Sequence, residues 1–413
     1  MTEVRSTAPM PTPARAGEAA GSPRLVVAQG AAMLAVGMGV GRFVYTPILP
    51  LMEHQAGLTV SMASNLATAN YLGYLCGALT GIFVPSLARS RLAARVSLLV
   101  VIATLALMPV TEDASAWLAL RLVAGAASAL LFVIATTAML ARLHRGAQHL
   151  VGWGFGGVGL GIALSGMLVL ILQSFALQSF PTWRAAWWGA AVLAAVLGIA
   201  AWKLRPDQAG TAALPQRHGD VPRTHRWFAA LLACYTLEGI GYIIAGTFLV
   251  AAISQNSPGW LGGGAWIVVG IAATPASAMW AYLAHRRPRS TLILVALIVQ
   301  AVGIALPGLA GGIAPALISA VLFGNTFVAI SSLALAIGAH LQFPRSVALL
   351  TAGYSVGQIL GPLVVKPLLH GGYRDALLVA AAIVLAGAVA AVALRVRFPH
   401  RVGAMIEPSI GRE

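Results

Sequence analysis

Arg42, Arg121 and Glu238 each stand well inside a long apolar stretch of a 413-residue chain in which only 9% of residues carry a charge. A charge at the centre of a membrane helix costs roughly 2.5–3.5 kcal/mol on insertion scales, so it is kept where it meets a partner or a watery pathway. A guanidinium presents donors in a rigid fork that suits a carboxylate, whereas a carboxyl group can take up and release a proton. Arg42 is therefore the candidate for holding an anionic group of a solute, and Glu238 the candidate for a coupling proton. The competing reading of the two is a permanent Arg–Glu clamp. Arg121 is read either as a solute contact or as an arginine that organises nearby backbone.

Polar aromatic and amide side chains cluster around these charges in helical register. Tyr45 follows Arg42 by three residues, and Tyr235 and Tyr242 lie three before and four after Glu238, so each shares a helical face with its charge. The candidate substrate-binding set is Arg42, Tyr45, Arg121, Tyr242, Asn325, Tyr354 and Gln358, with ordinary packing or interhelical hydrogen bonding as the alternative for each uncharged member. Asn70 is weighed beside them. Lys366, Arg184 and Arg374, near the ends of their stretches, read as interface anchors whose charge snorkels to the headgroups. The nine histidines show no metal-ligand spacing, no phosphate-cradling Gly-x-x-x-x-Gly-Lys loop occurs, and no nucleophile–base pair is apparent. No catalytic residue, cofactor or metal is expected, and the chain does not read as an enzyme.

The elements that must position these residues follow from composition. With 59% hydrophobic residues and a mean hydropathy of +0.86, most of the chain has lipid as its solvent. Backbone in lipid must satisfy its own hydrogen bonds, and the apolar runs are too long for the strands of a barrel, so they predict helices. Runs fall at 24–52, 58–87, 92–111, 115–141, 148–175 and 184–203, and again at 226–253, 263–284, 290–309, 312–340, 346–370 and 374–397. The fold class is therefore an all-α membrane protein of twelve spans. Residues 1–23 read as a disordered cytoplasmic tail, 24–204 as an N-terminal six-helix bundle and 205–224 as a proline-broken cytoplasmic linker. The second bundle covers 225–398, and 399–413 form a C-terminal tail.

All but Arg42, Arg121, Arg184, Lys366 and Arg374 of the 26 basic residues fall on one side if both termini are cytoplasmic, as the positive-inside rule requires. This predicts a multi-pass protein of a bacterial inner (plasma) membrane. The net charge of +15 is spread between apolar runs instead of gathered on one face, which argues against nucleic acid as a partner. Trp117, Trp183, Trp202, Trp227 and Trp260 lie near run ends and are expected in the headgroup layers.

Setting residue n beside residue n+200 superimposes Gly39 and Gly41 on Gly239 and Gly241, Arg89-Ser90 on Arg289-Ser290, and Gly157 and Gly161 on Gly357 and Gly361. Glycines in membrane helices let neighbours approach closely. Gly39, Gly41, Gly125, Gly157, Gly161, Gly353, Gly357 and Gly361 are therefore read as helix-packing positions, with Pro362 as packing residue and secondary bend. Two parallel six-helix repeats are the organisation of the major facilitator transporters. The stretch Gly39-Val-Gly-Arg-Phe-Val-Tyr-Thr-Pro-Ile-Leu-Pro50 resembles the signature of the YbfB/YjiJ-type family within that superfamily. So do Glu238-Gly-Ile-Gly-Tyr242 and Tyr354-Ser-Val-Gly-Gln-Ile-Leu-Gly-Pro362, while Arg121 and Gly125 match the superfamily's fourth-helix motif.

Two features depart from the superfamily pattern. Pro85 stands where an aspartate is expected four residues after Gly81, and the glycine-rich fifth run lacks the Gly-Pro motif of many proton antiporters. The resemblance implies a monomeric secondary transporter working by alternating access, with protons as the coupling ion. Two arginines against one glutamate tilt its small-molecule substrate towards an organic anion or zwitterion. The alternative is a transport-inactive membrane sensor or scaffold that keeps the transporter fold.

Overall fold

The computed structural model describes residues 22–143, 150–174, 182–206, 224–255, 259–343, 345–396 and 398. The expected tails before residue 22 and after 398, and the 207–223 part of the linker, lie outside the described residues. Among the described residues there is no strand, and twelve helices are long and apolar enough to cross a membrane. They are α1 (Pro23–Gln55), α2 (Val60–Phe83), α3 (Arg91–Val110), α4 (Ala114–Leu143), α5 (Val151–Ser174) and α6 (Thr182–Ala201). The second six are α7 (His225–Gln255), α8 (Trp260–Leu283), α9 (Arg289–Leu309), α10 (Ile313–His340), α11 (Ser346–Gly371) and α12 (Arg374–Arg395). The two sets form the two pseudo-symmetric bundles that the repeat predicted.

Polar residues just before the apolar runs start several of these helices. Ser22, Thr59, Ser90 and Asp113 each accept a backbone N–H of the first turn with a side-chain oxygen, at 3.3, 3.2, 3.1 and 2.7 Å. Each bond satisfies a donor that the helix cannot satisfy itself. The exposed apolar side chains, such as Leu92, Val96, Val192, Ile199 and Val389, then form the surface that faces lipid.

Glycine sets the helix spacing, and the 200-residue register reappears as matched crossings. A Cβ on Gly157 would strike the Ala31 carbonyl, and one on Gly161 would lie 2.6 Å from the Ala35 carbonyl, which fixes α5 against α1. In the second half a Cβ on Gly357 would strike the Thr236 carbonyl and one on Gly361 would lie 2.9 Å from the Ile240 carbonyl, fixing α11 against α7 in the same way. Gly73 and Gly77 on α2 interlock with Gly125 on α4 through the carbonyls of Leu122, Ala126 and Asn70. Between the halves α5 lies on α8, with Gly152, Gly156, Gly159 and Gly166 against Ala278, Thr274, Gly270 and Ile267.

Hydrogen bonds join the halves from mid-depth to the end of the bundle remote from Pro23 and Arg395, here called the far end. Thr46 donates to the Gly246 carbonyl at 2.5 Å and Ser64 to that of Pro362 at 3.0 Å. Further out, Lys366 Nζ donates to Asn65 Oδ1 at 3.2 Å and the Tyr373 hydroxyl to a Glu53 carboxylate oxygen. Gln55 and its register mate Gln255 do equivalent work: each accepts a backbone N–H at the start of a later helix, from Trp183 at 3.1 Å and Tyr373 at 3.3 Å.

Two side-chain placements at the helix ends add to the sequence reading. Lys366 finds in Asn65 of the other half an acceptor for its ammonium. Trp117, Trp183 and Trp227 are buried, whereas Trp202 and Trp260 are exposed. Trp117 meets Trp183 edge-on at 5.9 Å and donates to the Met108 carbonyl at 2.9 Å, so at these helix ends ring and N–H find partners inside the bundle.

Removing the two outer links by Lys366→Met with Tyr373→Phe is expected to open the far end more often. In a Cys76→Ala, Cys234→Ala background, a cysteine placed at the buried position Thr46 should then react several-fold faster with a membrane-impermeant maleimide. Equal labelling rates would show that these bonds do not hold the halves together.

Candidate functional site

The site begins with an irregularity in α1. Residues Ala35–Val40 are π-helical, Gly41 to Val44 form turns, and the α-helix resumes at Tyr45. The widened ladder shows in the Gly41 N–H bonding to the Val36 carbonyl at 2.8 Å and the Phe43 N–H to that of Met38 at 3.1 Å. Such wide turns loosen the regular bonding pattern and are frequent at functional positions. Arg121 from α4 reaches in with Nη1 towards the Gly41 carbonyl at 3.4 Å and Nη2 towards the Arg42 carbonyl at 3.3 Å. It thereby holds the backbone that carries Arg42.

Arg42 itself is 2% exposed. Its guanidinium carbon lies 4.4 Å from the ring centre of Tyr74, 4.9 Å from that of Tyr71 and 5.3 Å from that of Phe43. Cation–π attraction of this kind strengthens when water is excluded. Nη2 donates to Gln358 Oε1 of α11 at 2.6 Å, and Gln358 Nε2 reaches the Tyr242 hydroxyl of α7 at 3.5 Å. Tyr71 and Thr247 join hydroxyls at 2.7 Å and close the same α2–α7 boundary. Nε and Nη1 of Arg42 have no hydrogen-bond partner among the described residues. A buried charge with idle donors is ready to receive an acceptor brought by a ligand.

Around this centre runs a continuous aromatic wall. Tyr354 is stacked between Tyr235 at 4.2 Å and Tyr242 at 5.5 Å, with interplanar angles of 13° and 11°. Tyr242 stacks on Phe327 at 5.9 Å, Phe327 on Phe323 at 5.4 Å, and Phe43 meets Phe327 edge-on at 6.0 Å. The Tyr354 hydroxyl accepts from Ser331 at 3.5 Å.

Glu238 is fully buried but does not face Arg42. Its Oε1 accepts from Gln300 Nε2 of α9 at 3.0 Å, while Arg42 is bonded to an amide, which overturns the permanent Arg42–Glu238 clamp. The repeat explains why. At the 200-residue offset the mate of Arg42 is Tyr242 and that of Glu238 is Met38, so the two charges sit one helical turn apart in register. Gln358 bridges the true mates, Arg42 and Tyr242.

Of the sequence-derived set, the structure thus gathers Arg42, Tyr242, Tyr354 and Gln358. Tyr45 lies behind them: its hydroxyl donates to the Ala63 carbonyl at 3.0 Å, and its ring stacks on Trp187 and lies 4.9 Å from the Arg121 guanidinium. Asn325 stands apart, its backbone and side-chain oxygens both accepting from Trp280 Nε1 at 3.0 Å between α10 and α8. Asn70 Nδ2 donates to the Arg121 carbonyl at 2.9 Å, an interhelical bond. The sequence reading did not single out Tyr71, Tyr74 or Gln300. A lone glutamine inside the 290–309 run was a signal for the last, and the three-residue spacing of Tyr71 and Tyr74 was a signal for the others.

The comparisons with known proteins follow the same lines. A family model described as "Uncharacterised MFS-type transporter YbfB" matches residues 34–394. Among solved structures, that of the nucleoside transporter NupG, crystallised as a point mutant, is similar with a TM-score of 0.67 and 14% sequence identity. The likeness covers 91% of this chain and 100% of that one. The search of curated proteins found no match.

Proposed function

The chain belongs to the YbfB-type family of major facilitator transporters, and from that premise we propose that it carries a small organic anion or zwitterion by proton-coupled alternating access. The observation that carries this reading is Arg42, a buried guanidinium at the junction of α1, α2, α7 and α11 with Nε and Nη1 unpartnered. A carboxylate is the group that such a fork receives best. Tyr242, Tyr354 and Gln358 line the same junction, and the aromatic wall offers faces to the organic remainder of the solute.

Alternating access is supported by the division of labour between contacts. The halves meet through small residues along α5 and α8, which slide with little steric penalty, and through single hydrogen bonds that can break one by one. The protein works as a monomer in the inner membrane, with both termini cytoplasmic, and Glu238 supplies the proton site. A thermal-shift screen of purified protein against metabolites, followed by uptake of each hit in proteoliposomes, tests the substrate class. Hits confined to neutral or cationic compounds would overturn it.

The coupling role makes a separate prediction. In proteoliposomes with an imposed pH gradient, Glu238→Gln is expected to lose gradient-driven accumulation at every pH while keeping solute counterflow within about threefold of the wild type. Undiminished accumulation would remove Glu238 from the coupling step.

A further inference from the structure

The pair Glu238–Gln300 carries more information than its one hydrogen bond. Both side chains are fully buried, on α7 and α9 inside the second bundle. Gln300 Nε2 donates to Glu238 Oε1 at 3.0 Å, and the two remaining oxygens, Glu238 Oε2 and Gln300 Oε1, have no partner at hydrogen-bond distance among the described residues. An ionised carboxylate and an amide oxygen are acceptors only, so in that state two buried acceptors would stay unsatisfied. A proton on Oε2 turns one of them into a donor, and the acceptor it needs is the other idle oxygen of the same pair.

We infer that Glu238 and Gln300 form a reciprocal acid–amide pair, a proton-binding site in which Gln300 is the positioning residue. In the proton-bound form Gln300 Nε2–H donates to Oε1 and Oε2–H donates to Gln300 Oε1, and each polar atom facing the other residue is served. Release of the proton breaks the second bond and leaves a buried carboxylate that Gln300 and the neighbouring Tyr354 hydroxyl serve only in part, a state that favours rearrangement of the surroundings. Proton loss is thereby tied to movement of α7 against α9.

The neighbours of Glu238 fit the neutral form. In electrostatic contact with it are Cys234, Tyr235 and Tyr242 on its own helix and Tyr354 from α11, whose hydroxyl also approaches the carboxyl group as a hydrogen-bonding neighbour; none of them is a cation. From α12 the approach is made by Gly387, where an added Cβ would lie 3.1 Å from the Cys234 carbonyl and 3.7 Å from the Glu238 backbone nitrogen, and it brings no charge. On α9, α8 and α10, Arg289, Tyr282 and His340 lie in the first or last turn, away from mid-helix. Arg42, which comes from α1, is taken up by Gln358.

This inference rests on the reading of Glu238 as the proton site, and its test reads protonation directly instead of transport. Infrared difference spectra of reconstituted wild type minus Glu238→Gln at neutral pH are expected to show the carbonyl stretch of a carboxylic acid. Gln300→Leu should move that band to higher frequency by removing its hydrogen bonds. Gln300→Glu keeps a side chain able to pair reciprocally and should add a second acid carbonyl, so it reports even if the leucine variant fails to fold. Carboxylate stretches in place of the acid band, or an acid band unmoved in both Gln300 variants, would overturn the pair. An acid band with intact proton-driven accumulation in Glu238→Gln would leave the pair standing and remove only the coupling role. Carboxylate bands with coupling lost would do the reverse.

Discussion

Arg42→Gln is expected to abolish solute capture, with apparent affinity falling by about 100-fold or more, equivalent to roughly 3 kcal/mol. The substitution removes the charge at the centre of the α1–α2–α7–α11 junction and leaves a bound carboxylate desolvated without the guanidinium as counter-ion. Arg42→Lys is expected to fall between the two, since an ammonium keeps the charge but not the planar fork. Ligand-induced thermal shifts on purified variants measure binding apart from transport, and the melting temperature without ligand separates loss of the site from loss of the fold. Wild-type affinity in Arg42→Gln would refute the assignment. Because Arg121 holds the Arg42 backbone through two carbonyls, Arg121→Ala should weaken binding indirectly and depress the ligand-free melting temperature as well.

Gly125→Val is expected to prevent folding altogether. A Cβ there would strike the backbone carbonyl of Asn70, and Gly73 and Gly77 meet the carbonyls of Leu122 and Ala126 in the same crossing of α2 and α4. Backbone inside two long helices cannot step aside as a flexible side chain does, so the helices must separate along their length. The loss goes beyond the roughly 1–3 kcal/mol typical of overpacking in a core. Size-exclusion profiles of detergent-extracted protein, expected to show aggregate in place of a single peak, check this. Gly353→Ala is the contrast, because its Cβ would meet the ends of Leu232 and Thr236 side chains at 2.7 Å. These can rotate away, and a drop of only a few degrees in melting temperature is expected. A folded Gly125→Val would show that the crossing tolerates far more separation than its contacts imply.

The candidate site was legible in the sequence to the extent that it depends on depth and chemical type. Arg42 and Glu238 announce themselves because charge is costly in lipid, and Gln358 and Tyr354 because a motif around them repeats the glycine pattern of the first half. Which charge faces which partner was not legible. A helix rotates each residue by about 100° from the last, so a register that aligns glycines fixes depth but not the neighbour met by each face. The π-helical stretch at Ala35–Val40 adds a further rotation that no spacing rule anticipates.

By itself the sequence determined the twelve spans, their division into two sets of six and the residues that cannot be idle. Lipid forces long apolar runs into helices, and a duplicated glycine pattern persists because equivalent helices must cross equally closely. Tertiary structure alone decided that Arg42 pairs with Gln358 and Glu238 with Gln300, that Arg121 and Tyr45 support the site from behind, and that Asn325 belongs to Trp280. It also turned Trp117 and Trp183 inwards and gave Lys366 an acceptor across the join. Those outcomes depend on which helix faces lie against each other, and that is set by the summed packing of all twelve helices, not by any local run of residues.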